Sequence, residues 1–232
     1  MPLALFDLDN TLLRGDSDHA WCEFLIDLGV LDGERFRAQN ERFYAEYVAG
    51  TLDIHEFLDF QLKPLASHSL ADLRRWHAQF LESRIQAMIT PAARALVERH
   101  RSRGDELVII TATNSFVTRP IAEVFGIPHL IATEPEAIGE RYTGRVFGTP
   151  CFREGKVTRL RQWLENTHHS LAGSHFYSDS HNDLPLLREV EHPVAVNPDP
   201  QLREHAERAG WPILDLSGER IHQENPSLRT GN

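Results

Sequence analysis

Four apolar residues near the start of the chain, Leu3-Ala4-Leu5-Phe6, run straight into Asp7-Leu8-Asp9-Asn10-Thr11. An apolar run this short, stopped by acids, reads as a central parallel strand buried on both faces. In an open parallel sheet, ligands bind in the crevice beyond the carboxyl ends of the strands. The opening residues therefore constrain both the architecture and the place where chemistry is expected.

The rest of the chain is consistent with that architecture. Apolar residues recur at helical spacing in four groups: Ala20, Trp21, Phe24, Leu25 and Leu28; Phe36, Phe43, Tyr44 and Tyr47; Ile54, Phe57, Leu58 and Leu62; and Leu70, Leu73, Trp76, Phe80 and Leu81. This predicts four amphipathic helices with no strand among them. Thr90-Pro91 opens another helix, a cap residue followed by Pro at the first helical position. Beyond Gly104, strands are expected at residues 107–110, 129–132, 175–177, 194–196 and 212–216. They alternate with helices at Ser115–Phe125 and at residues 155–165, 184–190 and 201–209, while Arg141–Phe147, with Thr143-Gly144 inside, reads as a small hairpin. The expected fold class is α/β, a doubly wound (Rossmann-like) parallel sheet with an inserted all-helical cap domain. The core would take residues 1–14 and 89–216, the cap residues 15–88, and a polar C-terminal tail residues 217–232.

Bulk properties exclude several classes. The formal net charge of −10 comes with no Lys/Arg cluster of the kind a nucleic-acid-binding face needs. No apolar run approaches the ~20 residues of a membrane span, and no charged segment followed by a long apolar one marks a signal peptide. Cys22 and Cys151 are far apart and give neither a disulfide framework nor metal-ligand spacing. A cytoplasmic enzyme acting on a small molecule is expected, with no nucleic-acid or membrane partner; the sequence does not set the oligomeric state.

Three expected strand ends are polar: residues 7–11, Thr111-Ala112-Thr113-Asn114, and Ser178-Asp179-Ser180-His181-Asn182-Asp183. If those strands are neighbours, three or four carboxylates converge. Close carboxylates repel unless a cation or a proton intervenes. Hard oxygen donors of this kind suit Mg²⁺. A carboxylate can also attack phosphorus, while a second one moves the proton of the leaving oxygen. Thr111 and Lys156 are suited to hold the equatorial phosphoryl oxygens; Arg153 is a rival to Lys156. Asp16-Ser17-Asp18 reads as a helix-capping cluster.

These residues carry a family resemblance. Asp7-Leu8-Asp9-Asn10-Thr11 matches the DxDxT signature of the haloacid dehalogenase superfamily, and Thr111, Lys156 and Asp179-Ser180-His181-Asn182-Asp183 resemble its second, third and fourth motifs in order. The helical insert resembles the C1 cap of the phosphoserine-phosphatase-like branch. The resemblance implies Asp7 as nucleophile and metal ligand, and Asp9 as general acid/base that also ligates metal. It implies Asp179 and Asp183 at the Mg²⁺ site, and Thr111 and Lys156 on phosphate. Asp16 and Asn182 would contact substrate. Dehalogenases lack the acid matching Asp9, so phosphate chemistry is expected. The arginine that holds the substrate carboxylate in phosphoserine phosphatases falls near Gln61 here, and the Gly-Gly after the second motif is replaced by Ala112-Thr113. Both departures count against phosphoserine and are compatible with an amino-alcohol phosphate lacking a carboxylate, such as L-histidinol phosphate. Phosphoserine hydrolysis, phosphotransfer or mutase action, and non-catalytic binding of a phosphometabolite remain as alternatives.

Overall fold

The computed structural model describes residues 1–217, so the expected polar tail, apart from Ser217, lies outside the described residues. Among the described residues seven strands form one sheet in the order β4-β3-β2-β1-β5-β6-β7. They are β1 Leu3–Phe6, β2 Glu106–Asn114, β3 His129–Ile138, β4 Arg141–Phe147, β5 His175–Ser178, β6 His192–Val196 and β7 Ile213–Leu214. β1 is central, parallel to β2 on one side and to β5 on the other. Its side chains alternate between two apolar layers: Leu3 and Leu5 join Val108, Phe176 and Leu202 on one face, and Ala4 and Phe6 join Leu107, Leu96 and Val117 on the other. Period-2 alternation with both faces apolar explains why this strand shows no polar residue before Asp7.

The helical insert leaves and rejoins the sheet at one place. Leu13 and Ile89 pair in an isolated antiparallel bridge, and the Arg14 amide donates to the Met88 carbonyl at 2.8 Å. Between them lie α1 Ser17–Asp27, α2 Gly33–Ala49, α3 Ile54–Gln61, α4 Lys63–Ser67, α5 Leu70–Phe80 and α6 Gln86–Met88. The N-cap carboxylates of Asp16, Asp32 and Asp53 accept backbone N–H bonds that would otherwise be unmet. The third expected helix is α3, and a further short helix, α4, follows it with Pro64 in its first turn. The fourth runs on through a π turn, Leu81–Ile85. α2 ends at Gly50, whose φ of 71° is left-handed.

After the insert come α7 Pro91–Arg103, α8 Ser115–Phe125, α9 Glu154–Thr167, α10 Leu184–Leu187 and α11 Pro200–Ala209. Two expectations are corrected. Arg141–Phe147 is not a hairpin by itself; it is a single strand that pairs antiparallel with a longer β3, Ile138 opposite Arg141. The turn falls at Gly139, with φ 60°, rather than at Thr143-Gly144. The sheet is thus parallel except at this edge. The helix expected over residues 184–190 ends at Leu187.

α7 presses His100 onto the sheet. It is buried, its Nδ1 is 2.7 Å from Asp105 Oδ2, and its Nε2 is 2.7 Å from the Tyr177 hydroxyl. Burial holds the imidazole below its ordinary pKa of 6.5, against the pull of Asp105. A base whose folded pKa is depressed leaves stability intact above about 6.5 and removes it as pH falls below that value. His100→Gln should therefore flatten the loss of stability between pH 7.5 and 5.5, read as urea midpoints of the two proteins. Parallel decline would show that His100 stays neutral for another reason.

Candidate active site

The carboxyl ends of β1, β2 and β5 meet beneath the helical insert, at a cavity of about 600 Å³ lined from both parts of the chain. At its floor the Lys156 ammonium donates to Asp7 Oδ1 at 2.8 Å and to Asp183 Oδ2 at 2.7 Å. All three side chains are buried. Burial opposes the ammonium's charge, but Asp183 and Asp7 hold its pKa above the ordinary value. Asp183 Oδ2 also accepts from the Ser178 hydroxyl at 2.7 Å. The lysine is aimed by a tight loop. Arg153 adopts a φ of 50°, unusual for a residue with a side chain. A Cβ on Gly155 would lie 2.0 Å from the Pro150 carbonyl oxygen, so only glycine lets the chain fold back here.

The other acids are less well compensated. Thr11 Oγ1 stands 3.3 Å from both Asp7 Oδ2 and Asp179 Oδ1 and links them. Burial raises the Asp179 pKa well above 3.8, and Asp7 and Asp183 add to it. Asp7 is pushed up to about 6 by burial despite Lys156. Asp9 is pushed up to about 7, first by burial, then by Asp16 and Asp7. Its carboxylate is fixed at both ends: Oδ1 accepts from the Ser17 amide at 2.7 Å and Oδ2 from the Thr113 hydroxyl at 2.8 Å. Thr111 is buried and lines the cavity, its Oγ1 accepting from the Thr113 amide at 3.2 Å.

Asp16 lines the cavity while capping α1; its Oδ1 accepts from the amides of Asp18 and His19. Asn182 also lines it, but both ends of its amide are engaged: Oδ1 accepts from Arg153 Nε at 2.9 Å and Nδ2 donates to Ser180 Oγ at 3.3 Å. Arg153 goes on to donate to the Gly50 carbonyl at 2.5 Å, and Tyr47 donates to Ser180 Oγ at 2.8 Å. Asn182 therefore sits in a seam between insert and core. Thr113, Ser178, Tyr47 and Arg153's link to Gly50 escaped the reading of the sequence. Thr113 had a signal, since it shares a strand face with Thr111; the others depend on contacts between distant segments.

Among the described residues, no three His, Cys, Asp or Glu side chains close around a point as a ready-made metal cage. Lys156 fills the space between Asp7 and Asp183, which leaves Asp7 Oδ2 and Asp179 as a two-carboxylate corner. Mg²⁺ commonly takes one or two carboxylates and completes its shell with waters and phosphate, so this donor set fits it better than it fits a cation needing a full cage.

Carboxylates, a buried lysine and strand-end hydroxyls gathered beyond a parallel sheet define a hydrolase site of the kind that handles phosphoryl groups. Comparison with known proteins agrees. The sequence matches the haloacid dehalogenase-like hydrolase family over residues 4–188. It is 49% identical over 218 residues to a histidinol-phosphatase of Neisseria meningitidis serogroup C, covering 92% of this chain and 98% of that one. A Bordetella pertussis protein of unknown function shares the structure at a TM-score of 0.87 with 47% identity, covering 93% and 98% of the two chains. A phospho-aspartyl intermediate analogue of phosphoserine phosphatase matches at a TM-score of 0.67 with 18% identity over 92% of each chain, a likeness of fold. The chain belongs to the haloacid dehalogenase-like hydrolase family and is a phosphatase, with a fold like that of phosphoserine phosphatase.

Removing the lysine charge should leave two buried carboxylates facing each other. Lys156→Met is expected to lose about 3–5 kcal/mol of stability in urea unfolding. Adding Asp183→Asn should recover part of that loss. A double variant no more stable than Lys156→Met would show that the lysine's charge is not what holds this floor together.

Proposed function

We propose that this enzyme hydrolyses a small phosphomonoester through an aspartyl-phosphate on Asp7, that it uses Mg²⁺, and that L-histidinol phosphate is its substrate. The observation that carries the reaction is the meeting of Asp7, Asp9, Thr111, Lys156, Asp179 and Asp183 at one cavity floor. Residues 15–88 act as a cap that excludes water from that floor. In the first step Asp7 Oδ attacks phosphorus, the ester P–O bond breaks, and Asp9 gives its proton to the departing alkoxide. In the second, Asp9 takes a proton from water, the resulting hydroxide attacks phosphorus, and the acyl-phosphate bond to Asp7 breaks to release inorganic phosphate. Burial of Asp9 in contact with other acids raises its pKa to about 7, which lets one group both give and take a proton near neutrality. Lys156 and Thr111 meet the phosphoryl oxygens. Mg²⁺ would be held by the carboxylates of Asp7 and Asp179 and the carbonyl of Asp9, with Asp183 in support. When bound it supplies positive charge to the transferring group.

The substrate follows from charge. Of the lysine and arginine side chains lining the cavity, Lys156 sits between Asp7 and Asp183 at the floor where the phosphoryl group would bind, and Arg37 is bidentate on Glu23 at 2.8–3.1 Å. Gln61, buried and lining the cavity, stands where phosphoserine phosphatases are expected to place an arginine. A substrate carboxylate finds no free lysine or arginine among these lining residues, whereas an ammonium meets Asp16. The 49% identity to a protein named histidinol-phosphatase supports the same substrate.

Phosphate release should be measured with Mg²⁺ across phosphorylated amino acids, amino alcohols, sugars and nucleotides. L-Histidinol phosphate is expected to give the highest kcat/KM, and Asp7→Asn to lower it by about 10³-fold or more. Phosphoserine as the fastest ester would overturn the substrate; transfer to a second ester instead of water would overturn hydrolysis. Without the ion, the raised pKa values of Asp7 and Asp9 mean that the fold loses stability as pH rises from their ordinary 3.8 through about 6 and 7. Mg²⁺ held by the Asp7 carboxylate would displace the proton of Asp7 and would bind only the folded chain. The rise in Tm on adding Mg²⁺ should therefore be larger at pH 8 than at pH 5.5; no rise at either pH would count against this metal site.

A further inference from the structure

One part of the cavity wall is not used by the chemistry above. Asp18, on α1, is 6% exposed and lines the cavity. Its Oδ1 accepts one long hydrogen bond, 3.4 Å, from Asn114 Nδ2, and among the described residues no cationic side chain pairs with it. Burial, Asp16 and Asp9 all press against its ionisation. One helical turn further on, on the same face of α1, the Cys22 thiol donates to Gln61 Oε1 at 3.1 Å. Gln61 Nε2 in turn donates to Asn40 Oδ1 at 3.5 Å. Among the described residues Asn40 Nδ2 then reaches no nitrogen or oxygen acceptor and has only the Cys22 sulfur beside it, although Asn40 is 8% exposed and lines the same cavity. Buried amide donors are nearly always satisfied, so an unmet one beside a cavity marks a place for an acceptor. Phe43 and Phe57, edge to face at 5.3 Å, line the cavity too.

We propose that Asp18 and Asn40 form a subsite for a nitrogen heterocycle at the end of the substrate far from phosphorus. Asp18 accepts the ring N–H, the Asn40 amide donates to the second ring nitrogen, and Phe43 and Phe57 give the ring apolar walls. Asp16 is left for the ammonium. The inference rests on the reading that the substrate is L-histidinol phosphate, and it goes further by naming the side chains that select its ring.

The test compares kcat/KM for L-histidinol phosphate with that for phenyl phosphate in the wild type, Asp18→Asn, Asp18→Glu and Asn40→Leu, with Tm recorded for each. Asp18→Asn should lower the ratio roughly tenfold or more, mainly through KM, as expected for loss of a charged hydrogen-bond acceptor. Asp18→Glu should recover part of it, and Asn40→Leu should lower the ratio several-fold. An unchanged ratio, or equal losses on both esters, would overturn the proposal. If the variants do not fold, wild-type inhibition by L-histidinol and by L-phenylalaninol reads the same subsite. L-Histidinol should inhibit at a concentration roughly tenfold lower; equal inhibition would overturn the subsite. If another ester proves faster than L-histidinol phosphate, the substrate reading fails on its own, and the two inhibitors still report on Asp18 and Asn40.

Discussion

The ammonium of Lys156 between Asp7 and Asp183 is the contact on which the rest of the site depends. Two buried carboxylates from the ends of β1 and β5 stand close together only because one cation bonds to both. Everything that delivers that cation is built to closer tolerance than its surroundings. Arg153 takes a backbone conformation that side-chain-bearing residues avoid, and Gly155 passes so near the Pro150 carbonyl that a methyl group would collide. Such strain is tolerated where the surrounding structure over-determines it. Here α9 and the sheet hold both ends of the loop.

Past that contact the site is unbalanced. Lys156 serves Asp7 and Asp183, while Asp9, Asp16, Asp18 and Asp179 have only hydroxyls, amides and backbone N–H groups as partners. Buried acids in that state have raised pKa values, as Asp9, Asp18 and Asp179 do. A protein that only had to fold would gain by replacing some of them with apolar residues. Their presence makes sense if positive charge arrives with the reactants: a divalent cation near Asp179, and nitrogen cations or N–H donors near Asp16 and Asp18. The same imbalance disfavours carboxylate-bearing esters without any dedicated repulsive device.

The sequence disclosed what is local. β1 and its acidic turn, the parallel strands and the caps at Asp16 and Thr90 follow from patterns a few residues wide. The gathering of Asp7, Thr111, Lys156 and Asp179 could be read because each lies at the end of an apolar strand or the start of a helix, and sheet topology then brings such ends together. What stayed hidden depends on pairing between distant segments. β4 looked like a closed hairpin because Thr143-Gly144 is a good turn, yet Gly139 makes the turn and β3 supplies the partner. The short helix α4 went unread because its five residues carry too little apolar period to stand apart from the group that ends at Leu62. Tyr47 looked like core at helical spacing, yet its hydroxyl reaches Ser180 in the core domain.

Those hidden contacts join the helical insert to the chemistry. Ser17, the first residue of α1, holds one oxygen of Asp9 with its backbone amide. Arg153, two residues before the glycine that aims Lys156, holds the carbonyl that ends α2. Tyr47 bonds Ser180, beside Asp179. Each of the three links ends on a group adjacent to, or part of, the carboxylate floor. An insert lifted away would release a proton-carrying acid and loosen the loop behind the lysine at the same time. On the role proposed for Asp9, the insert in this position would do more than exclude water: the Ser17 amide also fixes the orientation of the Asp9 carboxylate.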